Sequence, residues 1–180
     1  MNAKVLRDSF EAGDSTLRPR AFQSVVYGGL AVGVLDGLAA SISSLLRGGN
    51  PIRVFQYVAS GVLGKEAFSG GTPTFLLGVL LHFVVALGAA GVYYIACLRF
   101  PVLLEKAVLY GPLYGIAVYF VMAYIISPMS LTARSPFSFN GMLIQITIHV
   151  LFVGLPIAFL ARQSALNQPL KADQDTAKQL

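Results

Sequence analysis

Tryptophan is absent from this chain of 180 residues, cysteine occurs once and histidine twice. Charge is scarce as well: Asp, Glu, Lys and Arg together make up 12%, where a soluble domain carries roughly 25%. The single Cys97 excludes an intramolecular disulfide and leaves the redox compartment unread; inside an apolar run it reads as a small buried residue. A glycine-rich phosphate loop, a paired-cysteine metal site, a nucleophile elbow and a cluster of outward carboxylates are all missing, so the usual soluble-enzyme chemistries have no carrier and no residue is assigned as catalytic. Ser41, Ser43 and Ser44 stand about two turns away from the histidines, which disfavours a serine nucleophile. A net charge of +5 does not signal nucleic acid either, because the basic residues sit between apolar stretches rather than along one helix face.

What is present is apolar: 56% of the residues, with a mean hydropathy of +0.70. Four stretches, residues 24–46, 72–98, 107–127 and 141–161, each reach the 20 or so residues needed to cross a hydrocarbon core of about 30 Å. The expectation is an all-α integral membrane protein, a four-helix bundle in one domain, with polar tails at residues 1–23 and 162–180. Nine Lys and Arg fall in the two tails and the second connection (Lys4, Arg7, Arg18, Arg20, Arg99, Lys106, Arg162, Lys171, Lys178), against four on the other side (Arg47, Arg53, Lys65, Arg134). The positive-inside rule therefore puts both termini in the cytoplasm. Tyr27, Tyr93, Tyr94 and Tyr110 fall near the cytoplasmic ends, where they are expected at the headgroup layer. The small residues Leu38-Ala39-Ala40-Ser41 resemble a cleavage site, but the preceding span is long, contains Asp36 and follows a polar acidic segment, so it is expected to stay in place.

The first outer connection has structure of its own. Asn50-Pro51 reads as an N-cap with proline at the first helical position, and Val54, Phe55, Val58, Ala59 and Val62 then recur at helical spacing opposite Arg53, Gln56 and Ser60. This predicts an amphipathic helix over 51–63, too short to span, lying at the outer interface or as a lid on the bundle. Phe137 and Phe139 in the third connection suggest a second capping segment.

Three ionisable residues stand deep in the spans, Asp36, His82 and His149, and such groups are functional-site candidates by default. A weak repeat links them: Val26-Tyr27-Gly28-Gly29-Leu30 parallels Leu109-Tyr110-Gly111-Pro112-Leu113, and Leu80-Leu81-His82-Phe83 parallels Thr147-Ile148-His149-Val150. This reads as a duplicated two-span hairpin, a 2+2 parallel repeat in which Tyr119 matches Asp36. At 1.5 Å per residue the four residues share a level about 12 to 15 Å from the outer ends. Gly29, Gly33 and Gly37 around Asp36, and Gly78, Ala86 and Ala89 around His82, are small residues that permit close helix approach, and Gln145 adds a polar neighbour to His149.

Three readings fit this level. It can be a small-solute or proton-coupled site formed by Asp36, His82, Tyr119, His149 and Gln145, with a carboxylate orienting an imidazole. It can be structural glue in an accessory or assembly subunit, with the glycines packing within the chain, against a second copy or against another membrane protein. It can hold a transition metal through His82, His149 and Asp36, or a haem between the two histidines. The glycine-rich first span, the outer amphipathic stretch, Leu81-His82-Phe83, Ile126-Ser127-Pro128-Met129 and His149 together resemble the YagU-like group of bacterial inner-membrane proteins. That resemblance covers about Tyr27 to Ala161, departs at Asp36 and in the first outer connection, and implies a bacterial inner-membrane location without an established chemistry.

Overall fold

A computed structural model describes the backbone over residues 17–132 and 137–166. Every element among these residues is helical: α1 (Leu17–Leu46), α2 (Pro51–Leu63), a 3-10 turn (Gly64–Phe68), α3 (Gly71–Arg99), α4 (Val102–Glu105), α5 (Ala107–Val121), α6 (Ser127–Met129), α7 (Phe139–Ile148) and α8 (Leu155–Leu166). Four continuous helical rods are long and apolar enough to cross a membrane: Val25–Leu46, Gly71–Arg99, Ala107–Met129 and Phe139–Ala165. Exposed aliphatic side chains line each of them, Leu38 on the first, Leu80, Val84, Val92 and Ile95 on the second, Val108 on the third and Leu151 on the fourth. Exposed aliphatic residues along a long helix are what lipid requires, since only a helix satisfies its own backbone in hydrocarbon. The chain is thus an all-α membrane bundle.

Two of the rods change pitch partway. The third passes through a π-helical turn at Met122–Ile126, closed by Ser127 N–H donating to the Met122 carbonyl, and the fourth through one at His149–Gly154, closed by Leu155 N–H on the Val150 carbonyl. Each turn ends two residues before a proline, Pro128 and Pro156. A proline ring clashes with the carbonyl four residues back and lacks an N–H, so widening the preceding turn keeps the rest of the ladder intact.

The first span packs against the second and the fourth, and the third packs against the fourth. Small residues set these distances. A side chain at Gly29 would come within 2.8 Å of Leu87 Cα, and one at Gly33 within 2.7 Å of the Phe83 ring. Across the other hairpin, Gly111, Gly115 and Gly154 let the third and fourth spans touch backbone to backbone: Gly115 faces the His149 carbonyl and Gly154 faces the Gly111 carbonyl. The buried core of Val32, Ala90, Tyr93, Cys97, Leu104, Ala107, Val153, Ile157, Ala158 and Ala161 lies toward the end that carries α4. Tyr93, read from the sequence as a headgroup residue, belongs to this core at 1% exposure, its hydroxyl donating to the Leu103 carbonyl; Tyr27 is 66% exposed.

The second and third spans approach each other through tyrosines. Tyr114 donates to the Ala89 carbonyl at 2.7 Å and its ring lies 4.8 Å from that of Tyr93. Interhelical hydrogen bonds in membranes average about 0.6 kcal/mol and reach about 1.7. Because this bond joins spans with little other contact, Tyr114→Phe should cost about 1 to 1.7 kcal/mol in detergent unfolding, at the upper part of that range.

Helix α2 begins as its sequence directs: the Asn50 side chain accepts from Ile52 N–H at 2.9 Å, and Pro51 takes the first helical position. Gly64 ends it at φ 62°, a conformation that glycine adopts without strain. Residues of both its apolar and its polar stripe are buried. Gln56, Ala59 and Ser60 are buried, whereas Ile52 and Val62 are 50% and 56% exposed. Gln56 donates to the Gly71 carbonyl and to Thr74 Oγ1, so the polar side chains serve the helix contact and aliphatic ones point outward. In a membrane that exchange is favourable, because polar groups find partners only inside the protein. The third connection meets α2 through Leu131 N–H donating to the Gly61 carbonyl at 3.0 Å. Its aromatic rings do not form the second cap: Phe137 and Phe139 are 73% and 60% exposed.

Candidate functional site

Asp36 stands mid-way along the first span and His82 on the second, on faces brought together by the glycines. Gly33 and Gly37 follow one another at one helical turn on the face of α1 that meets Phe83 and His82. Residues four apart share a face, so the polar residue that interrupts this stripe arrives beside His82. His82 Nε2 lies 4.0 Å from Asp36 Oδ2, and the two side chains are 14% and 17% accessible. The same nitrogen donates to the Gly33 carbonyl at 2.9 Å. Asp36 Oδ1 is buried and has no hydrogen-bond partner among the described residues.

Aromatic rings wall the pair. Phe55 of α2 meets the imidazole edge-on at 5.7 Å between centroids, and Phe83 does so at 5.8 Å. Phe55 is fixed from behind, edge-on to Phe75 at 5.5 Å. Its backbone presses on α3 at Gly78, where an added Cβ would overlap the Phe55 carbonyl. Phe55 thereby reaches from the short helix between the first two spans to their facing surfaces, and Gly37 gives it room: a side chain there would come within 3.3 Å of both Phe55 Cζ and His82 Nε2.

Tyr119 and His149 form a second pair on the third and fourth spans, their rings 5.7 Å apart at 77°. His149 Nδ1 donates to the Gln145 carbonyl at 2.9 Å, one turn back in its own helix. Gln145 therefore contributes its backbone to this pair. The four polar positions form two separate couples, each inside one hairpin, with Asp36 meeting His82. The metal set of Asp36, His82 and His149 is not assembled: no three His, Cys, Asp or Glu side chains come together to hold a metal among the described residues. The physical reason is the hairpin packing itself, since close glycine contacts direct each histidine toward the preceding span and not toward the other hairpin.

Several residues that shape the site have weak sequence signals. Gly33 was legible as a packing residue, but nothing in a sequence marks its carbonyl as the acceptor for a histidine 49 positions away. Phe55 was legible as a ring on the apolar stripe of an amphipathic helix, and its reach to His82 follows only from the backbone contact at Gly78. Gly111 and Gly115 carried a readable signal in their four-residue spacing, the small-xxx-small pattern of close helix pairs. No family model matches the chain, and neither does any curated protein or solved structure.

Proposed function

We propose that the protein moves protons, or a small solute coupled to them, across the membrane through Asp36 and His82. The observation that carries this reading is the buried Asp36 Oδ1, unpartnered among the described residues, on a carboxylate 4.0 Å from an imidazole on the neighbouring span. Placing a charge there is costly in hydrocarbon, and a group of this kind persists where it has work to do. A proton satisfies a lone carboxylate oxygen without further ligands. A metal ion needs four or more donors, and the pair brings too few. The His82 imidazole beside it has one nitrogen to accept a proton and one to donate it.

On this reading the termini are cytoplasmic and the membrane is a bacterial inner membrane, supported by nine basic residues against four and by the YagU-like motifs. Helix α2 then lies on the outer side, with Phe55 between the pair and the exterior. The alternative, in which the pairs are glue in an accessory subunit with a membrane-protein partner, makes the same residues matter for folding alone.

Proton flux into proteoliposomes under an imposed potential separates the two. Per folded molecule, Asp36→Asn and His82→Ala should each lower the flux at least about tenfold, the loss of a barrier contribution of about 1.4 kcal/mol or more. Flux unchanged in both variants would overturn the proposal.

A further inference from the structure

The chain's two histidines are each tied to a main-chain carbonyl, and through different nitrogens: Nε2 of His82 to Gly33 and Nδ1 of His149 to Gln145, both at 2.9 Å. A carbonyl oxygen only accepts, so the nitrogen at each contact carries the hydrogen. Neutral His82 is therefore the Nε2–H tautomer with a bare Nδ1, and neutral His149 is the Nδ1–H tautomer with a bare Nε2. The two rings, matched by the internal repeat, are set in opposite senses.

At His82 this has a chemical consequence. Two acceptors stand near this one hydrogen: the Gly33 carbonyl at 2.9 Å, which holds it, and Asp36 Oδ2 at 4.0 Å, beyond hydrogen-bond reach. Among the described residues Asp36 is the one ionisable group paired with this ring, and Phe55 and Phe83 close its flanks with apolar edges. Resting on the proton-transport reading, we infer that His82 is a two-ended relay: it accepts a proton at Nδ1 and delivers a different one from Nε2 to Asp36.

The proton balance is simple. An incoming proton bonds to the Nδ1 lone pair and makes an imidazolium with hydrogen on both nitrogens. The Nε2–H bond then breaks, its electron pair stays on Nε2, and the proton bonds to ionised Asp36 Oδ2. The product is a neutral Asp36 and a neutral His82 with hydrogen on Nδ1. Release from Asp36 to the far side leaves His82 with hydrogen on Nδ1; a proton gained at Nε2 from water and the Nδ1 proton given up to water then exchange the tautomer, return an Nε2–H to the Gly33 carbonyl and restore the start. Transfer requires the gap to close by about 1 Å to hydrogen-bond reach. In the resting state the Gly33 carbonyl keeps the transferable hydrogen off Asp36, which makes Gly33 a positioning residue through its main chain. Gly37 keeps the space beside Nε2 open, since a Cβ there would sit 3.3 Å from that nitrogen.

With two histidines in the whole chain, the test is direct. Protein labelled with 15N-histidine, in lipid bilayers at neutral pH, should give one Nε2–H and one Nδ1–H imidazole by solid-state NMR, and His149→Gln should remove the Nδ1–H signature and leave the other. Asp36→Asn should keep His82 as Nε2–H, because the Gly33 carbonyl and not the carboxylate sets the tautomer, while lowering flux about tenfold. Asp36→Glu, with its longer reach, should recover flux to several times the Asn level. An Nδ1–H His82 together with Asp36-dependent flux would overturn the relay and leave the proton-transport proposal standing. An Nε2–H His82 with flux indifferent to Asp36 would overturn that proposal, and the relay with it.

Discussion

Gly154→Val should pull the third and fourth spans apart. A Cβ at this position would overlap the Gly111 carbonyl and lie 2.6 Å from Gly115 N and 2.8 Å from Gly115 Cα. All three are backbone atoms of a helix, so no rotamer change relieves the overlap and the rods must separate. Overpacking of a tight core costs about 1 to 3 kcal/mol when side chains can shift. Here the expectation is about 3 kcal/mol or more at the upper end of that range, which for a chain of this size lowers the unfolding midpoint by about 6 to 12 °C. The π-turn at His149–Gly154 sits in the same contact, against Gly115, so the Tyr119–His149 couple should be lost along with the packing. Gly88→Ala is the control: nothing lies within 4 Å of its added Cβ, and replacing glycine in a helix stabilises by up to about 1 kcal/mol. Thermal unfolding of both variants in one detergent checks the pair, and equal midpoints would refute the backbone contact.

How much of this could be read beforehand follows from what each feature depends on. Span number and position depend on run length and apolarity, which are local, and the four rods lie where the hydropathy puts them. Helix α2 was legible to its ends because Asn50, Pro51 and Gly64 carry cap chemistry in the residues themselves. Which of its residues are buried was not legible, because in a membrane polar groups too must find their partners inside the protein: Gln56 is buried and Ile52 exposed. The two π-turns had their cause in plain view in Pro128 and Pro156, although a proline alone does not say whether a helix kinks, stops or widens.

For the polar residues, spacing placed Asp36 and His82 on small-residue faces, and the structure sets them 4.0 Å apart. Spacing also assembled Asp36, His82, Tyr119 and His149 as one level. Depth is a one-dimensional quantity, however, and which faces meet is set by rotations of each rod that the glycines decide pair by pair. Two couples result in place of one cluster. The tautomers were beyond reach altogether, since the main-chain carbonyls that fix them have no signature in residue type.

Gly78→Val should act on the site from behind. At Gly78 the backbone of α3 touches the backbone of α2, and an added Cβ would overlap the Phe55 carbonyl oxygen, with the carbonyl carbon and Cα crowded as well. The strain can be relieved only by lifting α2 off the second span. That movement breaks the Gln56 bonds to the Gly71 carbonyl and Thr74, and it withdraws the Phe55 ring from His82. The four spans have their own contacts, the first with the second through Gly29 and Gly33 and the third with the fourth through Gly111, Gly115 and Gly154, so the bundle should survive. The expected result is a folded protein with a loosened short helix: limited proteolysis between Leu63 and Gly71 at least about tenfold faster, the ratio that corresponds to about 1.4 kcal/mol of lost docking when opening is fast relative to cleavage. Phe55→Ala removes the ring and leaves the backbone contact, so it should uncover His82 without speeding proteolysis. If Phe55 bars the pair from the side where α2 lies, both variants should raise passive proton leak; if the ring only packs, Gly78→Val will speed proteolysis and leak will not change in either.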